Sequence, residues 1–177
     1  MLESSLIILL LIATSAFFAT SEIALAAARK LKLEQLAEDG DARANVALAL
    51  QAHPGHFFTT IQIGLNAVAI LAGILGEGAY APYFAVLLEQ HMSNPELAGT
   101  IATVLSFLLV TSVFILFADL VPKRIAIVAP ERIALRIAGP MTTCIRLLSP
   151  VIWAFNGIAN RILTALGLPH HRPEDVT

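Results

Sequence analysis

The sequence predicts an all-α membrane protein. It should have three transmembrane helices, the second one broken, and amphipathic juxtamembrane helices on the cytoplasmic side. Three observations carry this. The first is composition: 57% of the 177 residues are hydrophobic and 14% are charged, against about 45–50% and about 25% in soluble domains. Mean hydropathy is +0.78. The second is three long apolar runs, each reaching the roughly 20 residues a helix needs to cross the hydrocarbon core. None alternates with the period of two that a barrel strand requires. The third is the placement of Lys and Arg, which cluster after the first and third runs and are missing from the loop between the second and third. The same figures exclude other classes. The chain is too apolar to be disordered, and a net charge of −2 does not suit a generally basic nucleic-acid binder. Its single cysteine, Cys144, rules out a disulfide framework and any Cys-based zinc or iron–sulfur cluster.

The first run, Ser4 to Ala28, holds one charge, Glu22. Its leading residues, MLESS, carry no positive charge, which argues against a signal peptide. Arg29, Lys30, Lys32 and Arg43 follow it, so the N-terminus is expected outside and this cluster in the cytoplasm. Residues 29–52 are too polar to span and read as two short helices parted at Asp39-Gly40-Asp41. The second run, Gly55 to Gly76, has no charge. Gly76-Glu77-Gly78 suggests a break before an outer half-helix, Ala79 to Leu88. The loop Glu89 to Glu96 has no Lys or Arg and reads as external. The third run, Leu97 to Ala118, stops at Asp119, and Pro122 is placed to start a new helix. Lys123, Arg124, Arg132 and Arg136 mark that side as internal. Residues 133–168 are apolar but contain Arg136, Arg146 and Arg161, with Pro140 and Pro150 as interruptions. A fourth span would put Arg146 near the bilayer centre, at about 2.5–3.5 kcal/mol on insertion scales. Amphipathic helices on the cytoplasmic surface, with Trp153 at the interface, fit better. Residues 169–177 read as a linker towards a soluble domain.

Polar groups at membrane depth mark packing or a pathway. Ser15, Asn66 and Ser106 fall near the middles of their runs. Ser21, Glu22 and Asp119 lie towards the cytoplasmic ends, and Ser112 shares a helical face with Asp119 seven residues on. Oxygen donors with few carboxylates suit a hard cation, Mg²⁺ or Na⁺. Ser15 and Ser21 do not share a face of a regular helix, so one ion could use both only through a distorted backbone or a freed carbonyl. Plainer readings compete. Ser and Thr in membrane helices bond the carbonyl four residues back or pack at helix contacts. Asn66 can be interhelical glue, Asp119 a helix cap, and Glu22 a partner for Lys123 or Arg124. Gly64, Gly73 and Gly76 fit close helix approach. His53, His56 and the pair His170-His171 have no converging partners in sequence.

Three motifs, FFATSEIAL (Phe17 to Leu25), TTIQIGLNAVAILAG (Thr59 to Gly73) and FADLVPKRIA (Phe117 to Ala126), resemble the transmembrane domain of the CorC/CNNM family of magnesium transporters, also labelled hemolysin-C-like. The match covers roughly residues 3–168, so the domain is placed at 1–168. The resemblance implies a homodimer in the inner membrane. It implies a Mg²⁺ site in each protomer, open to the cytoplasm, with Ser15, Ser21, Asn66 and Asp119 as the positions carried over. Glu22, Ser106 and Ser112 are accessory candidates. It also implies export driven by Na⁺, and an ATP-binding CBS-pair module that would lie beyond Thr177. The family has Glu where this chain has Asp119, which keeps the charge but shortens its reach.

Three functions follow as expectations. Secondary transport of Mg²⁺ leads. The second is efflux of another cation, such as a polyamine, whose amines Glu22 and Asp119 could pair with. The third is a non-transporting membrane anchor or regulator. Enzymatic activity is not expected, since no nucleophile–base arrangement or redox motif is present.

Overall fold

The computed structural model describes residues 2–167, and every regular element among them is helical. α1 (Leu2–Ala27) is one unbroken helix without Gly or Pro, as lipid demands of a spanning segment. Its last turn lacks backbone partners of its own. Gln51 supplies them, its Nε2 donating to the Leu25 and Ala28 carbonyls at 2.9 Å each. α2 (Lys30–Glu38) and α3 (Ala42–Ala52) part at Asp39-Gly40-Asp41, as expected. Gly40 turns the chain at φ +94°, a conformation only glycine adopts freely. Asp41 caps α3 by accepting from the Arg43 amide. The Arg43 guanidinium beside it holds its carboxyl below the usual range.

α4 (Pro54–Glu89) runs for 36 residues without interruption. This corrects the expected break at Gly76-Glu77-Gly78. Gly76 lies against Val110 of the next helix, where any Cβ would clash, and its carbonyl accepts from Ser106 Oγ at 3.2 Å. The glycine lets two helices approach and does not bend one of them. Asn94 then caps α5 (Pro95–Phe114), accepting from the amides of Glu96 and Leu97.

The third span also runs further than expected. It neither stops at Asp119 nor restarts at Pro122. α5 passes through a π-helical turn (Ile115–Leu120) straight into α6 (Val121–Val128). Proline has no N–H and its ring crowds the carbonyl four residues back; a wide turn at that point relieves the crowding. α7 (Pro130–Ala165) is likewise one helix through both Pro140 and Pro150, where several were expected. Each proline removes one backbone donor without ending the helix. Four helices are therefore long and apolar enough to cross a membrane: α1, α4, α5 continued by α6, and α7.

α1 is the central element. α4, α6, α7 and the π-helical turn all pack on it. Phe18 and Leu25 join Phe57 and Ile61 of α4, Leu33 of α2, Leu50 of α3 and Met141 of α7 in one core. At the far end Ser5 Oγ and the Tyr80 hydroxyl lie 3.2 Å apart, so α1 and α4 are antiparallel. Both basic clusters fall at the core end: Arg29 donates to Glu131 at the start of α7 at 3.0 Å, with Lys32 Nζ 3.7 Å from it, and Lys123 Nζ lies 3.5 Å from Glu22 of α1. Trp153, expected at the interface, is 80% exposed. The expected linker, with His170-His171, lies outside the described residues.

Candidate functional site: a carboxylate pair around an ammonium

The candidate residues of α1 lie on its inner half, where neighbouring helices cover it on all sides. Ser15 and Glu22 are seven residues apart and share a face. Ser21 is about 120° round from Ser15, yet both serines are buried. Ser21 Oγ donates to the Phe17 carbonyl at 2.7 Å. Thr14 and Thr60 do the same to Leu10 and His56. This is ordinary behaviour for hydroxyls in membrane helices, and it leaves their lone pairs free to accept. Ser15 makes no hydrogen bond among the described residues. The backbone distortion that would let Ser15 and Ser21 serve one ion is absent from α1, which is regular throughout. A wide turn exists, but in the third span.

That turn carries Asp119. A π-helical turn rotates less per residue than an α-helix, so the shared face expected for Ser112 and Asp119 is lost. Ser112 is exposed. Asp119 instead meets Lys123, one turn on. Lys123 Nζ lies 2.7 Å from Asp119 Oδ1 and 3.5 Å from Glu22 Oε2. All three side chains are partly buried. The cluster is thus one ammonium between two carboxylates, with a formal charge of −1. The Glu22–Lys123 pairing was one of the sequence readings. The Asp119–Lys123 contact was missed, although its four-residue spacing is legible in DLVPK.

The remaining candidates are not drawn into this cluster. Ser106 is buried, and its bond to the Gly76 carbonyl ties α5 to α4. Asn66 follows Gly64 by two residues. Gly64 lies against Phe18 of α1, so Asn66 stands about 200° round α4 from that contact, and its side chain is exposed. No hydrogen bond joins Ser15, Ser21, Asn66 and Asp119 to one another among the described residues. Nor does any group of three His, Cys, Asp or Glu converge there, His53 and His56 included. A cavity of about 310 Å³ opens at the same end, lined by Leu25, Lys30, Gln51 and Phe57 among others, but it contains neither carboxylate.

Residues 6–177 match the family described as the cyclin M transmembrane N-terminal domain. Several similar proteins carry the name polyamine export protein. The one from Escherichia coli strain K12 is 54% identical over the whole chain, and the one from Salmonella typhimurium strain 14028s is 53% identical over the same length; the chain covers 39% of each. The one from Haemophilus influenzae is 49% identical over 88% of the chain and 36% of its own length. The chain thus spans about two-fifths of the length of these relatives. Its apolar helices and this match make it an integral membrane protein, and it belongs to the cyclin M transmembrane N-terminal domain family, the CorC/CNNM family that its three motifs resemble.

Proposed function

We propose that the chain is the membrane part of an exporter of polyamines, with Glu22 and Asp119 receiving a substrate ammonium at the cytoplasmic end. The observation that carries this is Lys123, whose ammonium sits 2.7 Å from one carboxylate and 3.5 Å from the other. A pair of carboxylates that accepts from one primary ammonium has the acceptors, charge and reach to accept from another, so a substrate amine can replace Lys123 like for like. While Lys123 stays in place it offsets one of the two carboxylate charges, an interaction of about 4 kcal/mol per unit charge at 4 Å and an effective dielectric near 20, so an entering cation meets both charges only when it takes the place of Lys123. Identity of 49–54% to proteins named for polyamine export supports the same substrate class. In this reading the basic end faces the cytoplasm and the N-terminus lies outside the inner membrane.

Transport of Mg²⁺ coupled to Na⁺ is the second reading. What favours it is Ser15, buried with an unbonded hydroxyl, and the wide turn at Asp119, which leaves carbonyls available. Homodimerisation and control by an ATP-binding module belong with either reading as proposals.

The test is accumulation of radiolabelled putrescine and of Mg²⁺ by inside-out membrane vesicles carrying the full-length protein. The expected result is putrescine accumulation, reduced about tenfold or more in Glu22→Gln and in Asp119→Asn, since each removes a charge-assisted bond of about 1.5–3 kcal/mol. Accumulation of Mg²⁺ without putrescine would overturn the proposal in favour of the second reading.

A further inference from the structure

Helix α7 divides into three sectors when its residues are placed at about 100° each. Ala134, Ala138, Met141 and Ile152 are buried and form the sector packed on the bundle. Leu147, Val151, Phe155, Ile158, Ile162 and Leu166 are exposed and form an apolar sector beside it. Arg132, Arg136, Arg146 and Arg161 fall within about 80° of one another, on the flank next to the apolar sector and away from the bundle. All four are exposed, and none makes an ion pair among the described residues. No Asp or Glu occurs between Arg132 and Gly167 to neutralise them.

The arginines also run the length of the helix. Arg132 and Arg161 are about 43 Å apart along its axis, longer than the roughly 30 Å hydrocarbon core. A spanning helix keeps its charges at the ends, whereas α7 has Arg146 at its middle. Only a helix lying in the membrane plane puts all four arginines at one depth. There the apolar sector enters the acyl chains and the arginine flank meets the headgroups.

We propose that α7 is an anionic-lipid-binding helix, lying along the cytoplasmic leaflet with its arginine sector on lipid phosphates. Charge complementarity names the occupant: four guanidiniums without ion pairs among the described residues, a geometry matched to phosphate oxygens, bordering an exposed apolar surface of the kind acyl chains cover. This does not depend on which cation the protein moves.

Trp153, the only tryptophan in the chain, supplies a native depth probe. It lies on the side of α7 opposite the apolar sector. In nanodiscs holding the chain, its fluorescence should be quenched by aqueous acrylamide and not by lipids brominated deep in the chain. A Trp153→Phe/Phe155→Trp variant, with the probe moved into the apolar sector, should be quenched by shallow bromines instead. Deep-bromine quenching of Trp153 makes α7 a fourth span and overturns the proposal. Acrylamide quenching of both probes, with none from bromines, also overturns it. The second arm is retention of phosphatidylglycerol on the purified protein, read by native mass spectrometry. The Arg146→Gln/Arg161→Gln variant should bind it about 25-fold more weakly, taking roughly fivefold per arginine near a membrane surface. Undiminished retention by a folded variant defeats the lipid assignment even if the depth result stands.

Discussion

α4 and α7 are each 36 residues long, each contains proline inside, and each is long and apolar enough to span a membrane. They differ in almost everything else. α4 carries no charged residue from Pro54 to Gly76, while α7 carries an arginine in each of its thirds. Two glycines of α4, Gly64 and Gly76, sit against side chains of neighbouring helices; Gly139 and Gly157 of α7 have open space around them. Beyond Ile152 every described residue of α7 is exposed. Length and apolarity are thus shared by a helix locked into a bundle and one attached along half its length. What separates them is how charge and small residues are arranged round the axis.

A large effect should come from filling a packed glycine. Gly76→Leu pushes a side chain into Val110, whose β-branched side chain has little rotameric freedom to yield. Overpacking of this kind costs about 1–3 kcal/mol, and more where the backbone must move. Gly139→Leu meets nothing and should leave stability close to wild type. Unfolding midpoints in SDS would measure both. Adding Val110→Ala should recover part of the Gly76→Leu loss. Equal midpoints for the two leucine variants would dissolve the contrast between the helices.

An effect of similar size, read in insertion and not in unfolding, should follow from adding charge. Ile70 is exposed on α4 in the middle of its apolar run, so Ile70→Arg should lower membrane insertion by about 2.5–3.5 kcal/mol. Gly157 lies within the arginine sector of α7, and Gly157→Arg should insert as well as wild type. A glycosylation-based insertion assay reads the two side by side. An equal penalty for both places Gly157 at membrane depth and makes α7 a span.

The sequence made the membrane class, the first three runs, the hinge at Gly40 and the basic end legible, because each rests on composition or local chemistry. The glycines were misread at Gly76-Glu77-Gly78, since a glycine that breaks a helix and one that admits a neighbour look alike until Val110 is known to lie opposite. Pro122, Pro140 and Pro150 were read as boundaries for the same reason: the cost of a proline depends on what the surrounding turns can absorb. The π-helical turn left no local mark, yet it decides where Asp119 points. Of the candidate site, Glu22 and Lys123 were paired correctly from charge. Asp119 was assigned to a cation, and the cation beside it proved to be the chain's own lysine. Gln51, which closes the end of α1, carried no signal, because nothing in its neighbourhood shows that α1 ends above it.

The smallest expected effect lies in removing a single hydrogen atom's worth of freedom from α7. Glycine in a helix interior is less favourable than alanine by about 0.8–1.0 kcal/mol, through the backbone entropy it loses on folding. At Gly157 a methyl group meets open space, so Gly157→Ala should stabilise the distal half of α7 by up to that amount. At Gly76 the same substitution sets the propensity gain against a clash with Val110, and the clash should win, giving net destabilisation. Hydrogen exchange of the amides around residues 156–160 and 75–79 reports each locally, with slower exchange expected in the first variant and faster in the second. If Gly157→Ala also speeds exchange, Gly157 faces a close neighbour such as a second copy of the chain. The distal half of α7 would then be a packed helix like α4, and the difference between the two would disappear.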